Sequence, residues 1–341
     1  MITRVVLDNF TAFRHLEVDF APGINVFIGA NATGKTHLLK LLYAACDITR
    51  TKNHYADKLL RVFLPRNGHL GRLVHRQVGV RRVSVGLQRQ DGAELRLTFN
   101  SRAKAPSASA VRGDIRWNRG EIKCAYIPVK EMLAHAPGFK ALYEQREVHF
   151  EETYADIIGR ALVPALRGPV QPARQRLLDT LQGAIEGKVT VRQEEFALRS
   201  QQGDLEFSLV AEGMRKLALL WRLIQNGTLL EGSVLFWDEP EANLNPSVVG
   251  NVMGVLVELQ RMGVQVFLAT HDYVGLKELD LRTEPTDRVT YHALGRHDAD
   301  GGIEVHSTDE YVLIHPNAIS DAFADLYDRD VARALGREVR R

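Results

Sequence analysis

Three short stretches carry residue types at spacings suited to phosphate chemistry. The first is "GANATGKT", Gly29 to Thr36, which fits G-x-x-x-x-G-K-[ST]. Gly29 and Gly34 let the backbone curl, so the loop formed by Ala30, Asn31, Ala32 and Thr33 can turn its N–H groups toward an anion. Lys35 would reach the β- and γ-phosphates of a nucleotide, and Thr36 would offer its hydroxyl to Mg2+. The second is "SVLFWDEPEANLNP", residues 233–246, where a buried run ends in two adjacent carboxylates. Asp238 can hold Mg2+ through water, and Glu239 can orient and deprotonate a water that attacks the γ-phosphate. Adjacent carboxylates repel each other, so a bound cation is their natural compensation. The third is "VQVFLATHD", residues 264–272, which delivers Thr270 and His271 from a buried strand. A lone histidine behind a strand is more often a loop residue. Its order behind the other two stretches favours a contact with the γ-phosphate.

These side chains need a frame. Apolar patterning predicts strands over 2–8, 16–20 and 24–28, the last running directly into the glycine loop and then into the helical "THLLKLLYAACD". "RRVSVGLQ" and "AELRLTF" alternate around Asp91-Gly92, a hairpin turn signal. Residues 101–114 read as a mobile loop and 121–129 as a buried strand stopped by Pro128. Residues 138–187 are helical in pattern, and short strands are expected over 189–199 and 205–210. There follow a helix over 213–226, a strand over 233–237, a helix over 246–262, a strand over 264–269 and a short helix from 273. The fold class predicted is α/β: a P-loop NTPase with a mostly parallel central sheet, an antiparallel β subdomain and a helical insert. Residues 317–335 form one amphipathic helix. Its apolar face, Ile319, Phe323, Leu326, Val331 and Leu335, is expected to pack on the parent domain, with docking on a partner as the alternative. The domain division predicted is 1–130, 131–204, 205–315 and 316–341.

Composition narrows the function classes. Of 341 residues, 45% are hydrophobic and 25% charged, enough for a sizeable core. Cys46 and Cys124 lie far apart with no CxxC spacing and read as reduced core thiols. No apolar run reaches membrane-spanning length and the N-terminus reads as a strand, so a cytoplasmic protein is expected. Net charge is +2, but residues 50–123 hold 17 Lys and Arg against five Asp and Glu. That basic stretch suits DNA, RNA or another polyanion as well as it suits a solvated face.

The order of P-loop, the helix "LVAEGMRKLALLWRL", "DEPEANLNP" and "THD" resembles ABC-type ATPases. Within them, the opening "LDNFTAFRHLEVDFAPGINVFIGANATGKT" is similar to the RecF/SMC-like branch and to small stand-alone ATPases related to overcoming-lysogenization-defect (OLD) proteins. The resemblance implies ATP and Mg2+ as ligands and a head-to-tail dimer, or a higher homo-oligomer. In it each ATP lies between one P-loop and the partner's signature helix. Here Ala211, Glu212 and Gly213 stand where that signature usually begins Ser-Gly-Gly. The peptide N–H groups at this helix start can still face a phosphate, but Ala211 lacks the hydroxyl, so slow turnover is expected. Arg215 or Lys216 could supply compensating charge or simply face solvent. The resemblance further places Asn245 at a D-loop position and Phe10 or Phe13 against adenine, with core packing expected for one of the two. It calls for a Q-loop glutamine that "AYIPVKEML" lacks. The 70 residues after His271 are too few for the nuclease domain of full-length OLD proteins.

Four functions follow. The first is a cytosolic ATPase switch acting on nucleic acid or on a separate effector such as a nuclease or toxin, in anti-phage defence. The second is a RecF-like DNA repair ATPase. The third is a regulatory module that holds ATP with negligible hydrolysis. A transporter subunit is disfavoured by the missing glutamine.

Overall fold

The computed structural model describes residues 1–76, 78–145, 148–201, 203–296 and 302–335. In chain order, its elements begin with β1 (Ile2–Phe10), β2 (Phe13–Asp19), β3 (Ile24–Ile28), α1 (Lys35–Thr51) and α2 (Tyr55–Phe63). Next come β4 (Arg82–Arg89), β5 (Glu94–Asn100), β6 (Ala110–Arg112), α3 (Asp114–Trp117) and β7 (Cys124–Ile127). The helical stretch holds α4 (Phe139–Glu144), α5 (Glu152–Leu162) and α6 (Pro172–Ala184), followed by β8 (Lys188–Arg192), β9 (Glu195–Ser200) and β10 (Gly203–Glu206). The last part comprises α7 (Glu212–Gln225), β11 (Val234–Asp238), α8 (Pro246–Arg261), β12 (Gln265–Thr270), α9 (Tyr273–Arg282), β13 (Val289–Arg296), β14 (Ile303–Thr308) and α10 (Ala318–Ala334).

Continuous apolar runs make strands buried on both faces, which is what a parallel sheet between helices requires. Every residue of β3, β11 and β12 is buried. They lie in a six-stranded sheet of order β14-β13-β3-β12-β11-β7, parallel except for the β13–β14 pair. Its register aligns the strand ends. Thr270 pairs with Ile28, Asp238 with Ala269 and Trp237 with Ile127. One carboxyl edge thus gathers the exits of four strands, the usual crevice for a ligand in an open α/β sheet. A five-stranded antiparallel sheet, β2-β1-β4-β5-β6, covers one side, and a three-stranded one, β10-β9-β8, lies beside α6 and α7. Alternation in β5, with Leu95, Leu97 and Phe99 inward, shows one face of the five-stranded sheet on the core.

Several expectations need correction. Residues 101–114 are not an open loop, because β6 pairs with β5 there and α3 begins at Asp114. The strand expected over 205–210 is β10, which ends at Glu206 before a 3-10 turn. β13 and β14 were not anticipated. β13 completes the parallel sheet beside β3, and burial runs through most of its length, which hides the alternation of a half-exposed strand. The terminal helix forms, but its apolar face is not packed away. Ile319 is buried and Phe323 stacks on Tyr273, while Leu326 and Leu335 are more than half exposed. Cys46 and Cys124 are buried free thiols, as expected, and burial raises the pKa of both. No helix among the described residues is long and apolar enough to cross a membrane.

Candidate nucleotide site

The three chemical stretches meet at the carboxyl edge of the sheet. β3 feeds the glycine loop, and Gly34 caps α1 with φ +94°. A side chain is excluded there twice over: the conformation is left-handed, and a Cβ would lie 2.6 Å from the Phe13 ring. Lys35 is buried, and its Nζ donates to the carbonyls of Gly29 (2.7 Å) and Ala30 (3.0 Å). Thr33 Oγ1 donates to Ala30 O at 2.9 Å, which closes the loop on itself. Asn31 and Ala32 are exposed at its crest. Burial lowers the Lys35 pKa, with Glu239, Asp238 and Glu241 pulling it back up.

Thr36 and Asp238 are brought together from opposite halves of the chain, Thr36 Oγ1 donating to Asp238 Oδ1 at 3.2 Å. Tyr126 OH donates to the other oxygen, Oδ2, at 3.1 Å. Asp238 is buried, and that burial raises its pKa, with the two hydroxyl donors opposing. A hydroxyl and a carboxylate that is short of positive charge are a donor set suited to Mg2+, so the residues fit that ion. Glu239 follows in a left-handed conformation, φ +50°, which is strained for a non-glycine residue and holds the side chain half out of the edge. His271 Nδ1 lies 3.4 Å from Glu239 Oε1. The predicted Lys35, Thr36, Asp238, Glu239 and His271 therefore share one site.

Glu241, in the same stretch as Asp238 and Glu239, is a further residue of this site. Its Oε1 accepts from Thr270 Oγ1 (2.7 Å) and from the backbone N–H of His271 (3.2 Å). It is buried, its pKa is raised by that burial, and it also faces the imidazole, at 3.9 Å. A second carboxylate two residues beyond an acidic pair was the available signal. Tyr126 carried none beyond its place at the end of a buried strand.

The signature-like residues stand elsewhere. Ala211 is the N-cap of α7 and is exposed, Glu212 opens its first turn, and Gly213 is buried. A Cβ on Gly213 would come within 2.8 Å of Asn243 O and 3.0 Å of a Leu244 methyl. The chain's own loop therefore requires glycine at 213, independently of any phosphate. Neither expectation for the two cations holds. Lys216 is fully buried, and its Nζ donates to Ala242 O at 2.7 Å. Arg215 pairs with buried Glu131 and donates to the carbonyls of Phe207 (3.0 Å) and Val210 (2.6 Å). Glu131 follows β7, where the missing Q-loop glutamine was sought, and it ties that exit to α7. Asn245 caps α8, accepting from Ser247 N at 3.0 Å. Phe10 and Phe13 are both fully buried core residues, which rules out either one stacking on adenine.

The comparisons with known proteins agree with this geometry. Residues 1–64 match the family model "AAA ATPase domain", and residues 133–276 match "AAA domain, putative AbiEii toxin, Type IV TA system". The chain is 35% identical over 78 residues to the DNA replication and repair protein RecF of Streptococcus suis, covering 23% of this chain and 21% of that one. It is 36% identical over 96 residues to RecF of Lactobacillus gasseri, covering 28% and 23%. The chain thus spans about a quarter or less of the length of these curated relatives. An SMC head bound to the C-winged helix domain of ScpA superposes with a TM-score of 0.54 at 13% identity, over 90% of this chain and 97% of that one. The Smc head from Pyrococcus furiosus, with an extended coiled coil and bound to the C-terminal domain of ScpA, gives 0.52 at 11%, over 96% and 99%. At such identities the likeness is one of fold. Together these findings set two parts of the chain beside AAA-type ATPase domains and give the whole the fold of an SMC head.

Proposed function

We propose that this chain is a Mg2+-dependent ATP switch that dimerises head-to-tail on ATP, hydrolyses it slowly and acts through a separate effector. The convergence of Lys35, Thr36, Asp238, Glu239 and His271 on one sheet edge carries this reading. Lys35 and the loop from Gly29 to Thr33 bind the phosphates, and Thr36 with Asp238 would hold a metal ion, which would neutralise developing charge. Glu239 takes the proton of the attacking water, and His271 contacts the γ-phosphate. Ala211, Glu212 and Gly213 complete the partner's site through backbone N–H groups. The lobes 1–130 and 205–315 work as the ATPase core, with 131–204 and 316–341 attached to it.

The model matching 133–276 is described as a putative toxin of a Type IV TA system, which supports a defence setting; a cytoplasmic location and a nuclease or toxin as effector belong to the same proposal. One observation favours a second reading, RecF-like repair. The chain has RecF relatives, and its basic stretch 50–123 would bind DNA or RNA.

The test is the mass of the Glu239→Gln protein in solution, with and without ATP and Mg2+. A doubling with ATP, lost in Ala211→Arg, supports the switch. Bound ATP with a mass that never changes sinks it. Ala211 is chosen because it is exposed, whereas a side chain at Gly213 would disturb the chain's own loop.

A further inference from the structure

Two surfaces of opposite charge flank the two halves of the site. Residues 64–82 contain five arginines, Arg66, Arg72, Arg76, Arg81 and Arg82, and no carboxylate. All five are exposed, and among the described residues none is in an ion pair. This segment is fastened beside the P-loop. Thr11 N–H donates to Leu73 O and His75 N–H to Asn9 O, both at 2.8 Å, and Phe10 bridges Val74. The next two residues of the β1–β2 corner, Ala12 and Phe13, lie directly against Gly34. Val78 and Val80 stand out from the same segment, 95% and 53% exposed.

The opposite surface leads into the signature-like helix. Residues 179–212 hold seven carboxylates against three cations, and one of those cations, Arg199, is taken by Asp204 at 2.8 Å. Glu186, Glu195 and Glu206 are exposed. β10 is an edge strand exposed along its whole length and runs through a 3-10 turn into Ala211. Beside it a groove of about 960 Å³ is lined by Leu198, Leu205, Leu209, Ala211 and Met214. Leu209 is 69% exposed. An exposed edge strand with apolar neighbours is a surface that a partner can cover.

We infer that residues 64–82 of one copy dock on the β8–β10 sheet of a second copy, arginines against carboxylates and Val78 and Val80 toward the Leu205–Leu209 groove. This rests on the head-to-tail reading above. In that arrangement whatever borders one chain's P-loop meets whatever borders the other's signature helix. A two-fold pair makes the contact twice, so each error or correction counts double. Opposite potentials steer the encounter and penalise the parallel, like-facing alternative.

Reciprocal charge reversal in the ATP-trapping Glu239→Gln background tests it. One variant carries Arg72→Glu, Arg76→Glu and Arg81→Glu. The other carries Glu186→Lys, Glu195→Lys and Glu206→Lys. Sedimentation with ATP and Mg2+ measures the dimer dissociation constant, and ATP binding is measured on the same samples. Each variant alone should dimerise at least about tenfold more weakly, because both of its contacts become repulsive. An equimolar mixture should recover the parental affinity as a heterodimer, since both contacts become attractive again. Misfolded variants could not recover in this way. If the parental protein dimerises and the reversals leave the constant unchanged, or the mixture shows no recovery, the docking is wrong while the head-to-tail reading survives. Loss of DNA binding with dimerisation intact has the same consequence and assigns the arginines to nucleic acid. If the parental protein binds ATP and stays monomeric, both fall.

Discussion

The two ends of α1 sit in two buried ionic clusters that are built on opposite principles. At its C-terminal end, Asp47 lies between Lys58 (2.6 Å) and Arg160 (2.5 Å), and Asp156 takes Lys58 (2.6 Å) and the Tyr43 hydroxyl (2.6 Å). Glu152 adds a third carboxylate at 3.1 Å from Lys58. Burial pushes the Asp47 carboxyl up, but Arg160 and Lys58 outweigh it and hold its pKa well below the usual range. At the N-terminal end, burial prevails. Asp238 and Glu241 are both raised, while Lys35 is itself lowered and bonded to loop carbonyls. The first cluster is matched within the chain and locks α5 onto the P-loop helix. The second is left short of positive charge, which a bound cation would supply. A buried cluster that is internally matched serves structure, and one that is not points to a ligand.

Breaking the matched cluster should have the largest effect. Lys58→Met leaves Asp47, Asp156 and Glu152 facing one another, and should cost about 3–5 kcal/mol of stability by urea denaturation. A loss below about 1 kcal/mol would mean that water or rearrangement relieves the carboxylates. The pH dependence sharpens the contrast. Asp47 is depressed, so its contribution is present above the unfolded value near 3.9 and is lost as pH falls through the folded value. Lys58 is raised by Asp156, Asp47 and Glu152 against its burial, so its contribution persists until pH rises past the usual lysine value.

At the unmatched end, Glu239→Gln should slow turnover by about 10²–10³-fold, with ATP binding retained, as read by single-turnover hydrolysis. An unchanged rate would remove Glu239 from the role of base. Glu241→Ala should slow turnover by about ten- to a hundredfold with little change in ATP affinity, because the Thr270–His271 corner loses its anchor. Glu241→Gln should restore most of that rate, since an amide oxygen accepts the same two bonds. If Gln behaves like Ala, the charge of Glu241 matters and not its hydrogen bonding.

The same comparison explains what could be read in the sequence. The P-loop, Asp238-Glu239 and His271 were legible because each follows a buried strand within a few residues, and parallel strands must deliver their ends to one edge. The matched cluster was not legible. Asp47 and Arg160 lie 113 positions apart, and an isolated charge in a helical pattern reads as solvent-facing. Lys216 and Arg215 were misjudged for the same reason, since their partners Ala242 and Glu131 come from distant loops. The apolar stripe of α10 was read correctly as a stripe, but periodicity does not say whether anything covers it.

Asp238→Asn should have the smallest effect and the opposite sign to Lys58→Met. Asp238 is held above its unfolded pKa, so its contribution to stability is fully present only below about pH 3.9 and is lost as pH rises through the folded value. At neutral pH the ionised carboxylate therefore opposes folding when nothing else neutralises it. An amide keeps the acceptor for Thr36 or Tyr126 and removes the charge. The nucleotide-free variant should be more stable than the parent by about 1 kcal/mol at pH 7, with the gain shrinking toward acid pH. Adding ATP and Mg2+ should reverse the order, because the parent gains a metal ligand that the amide supplies poorly. A variant less stable than the parent at pH 7 without nucleotide would show that the two hydroxyl donors already compensate Asp238, and that the two ends of α1 do not differ in kind.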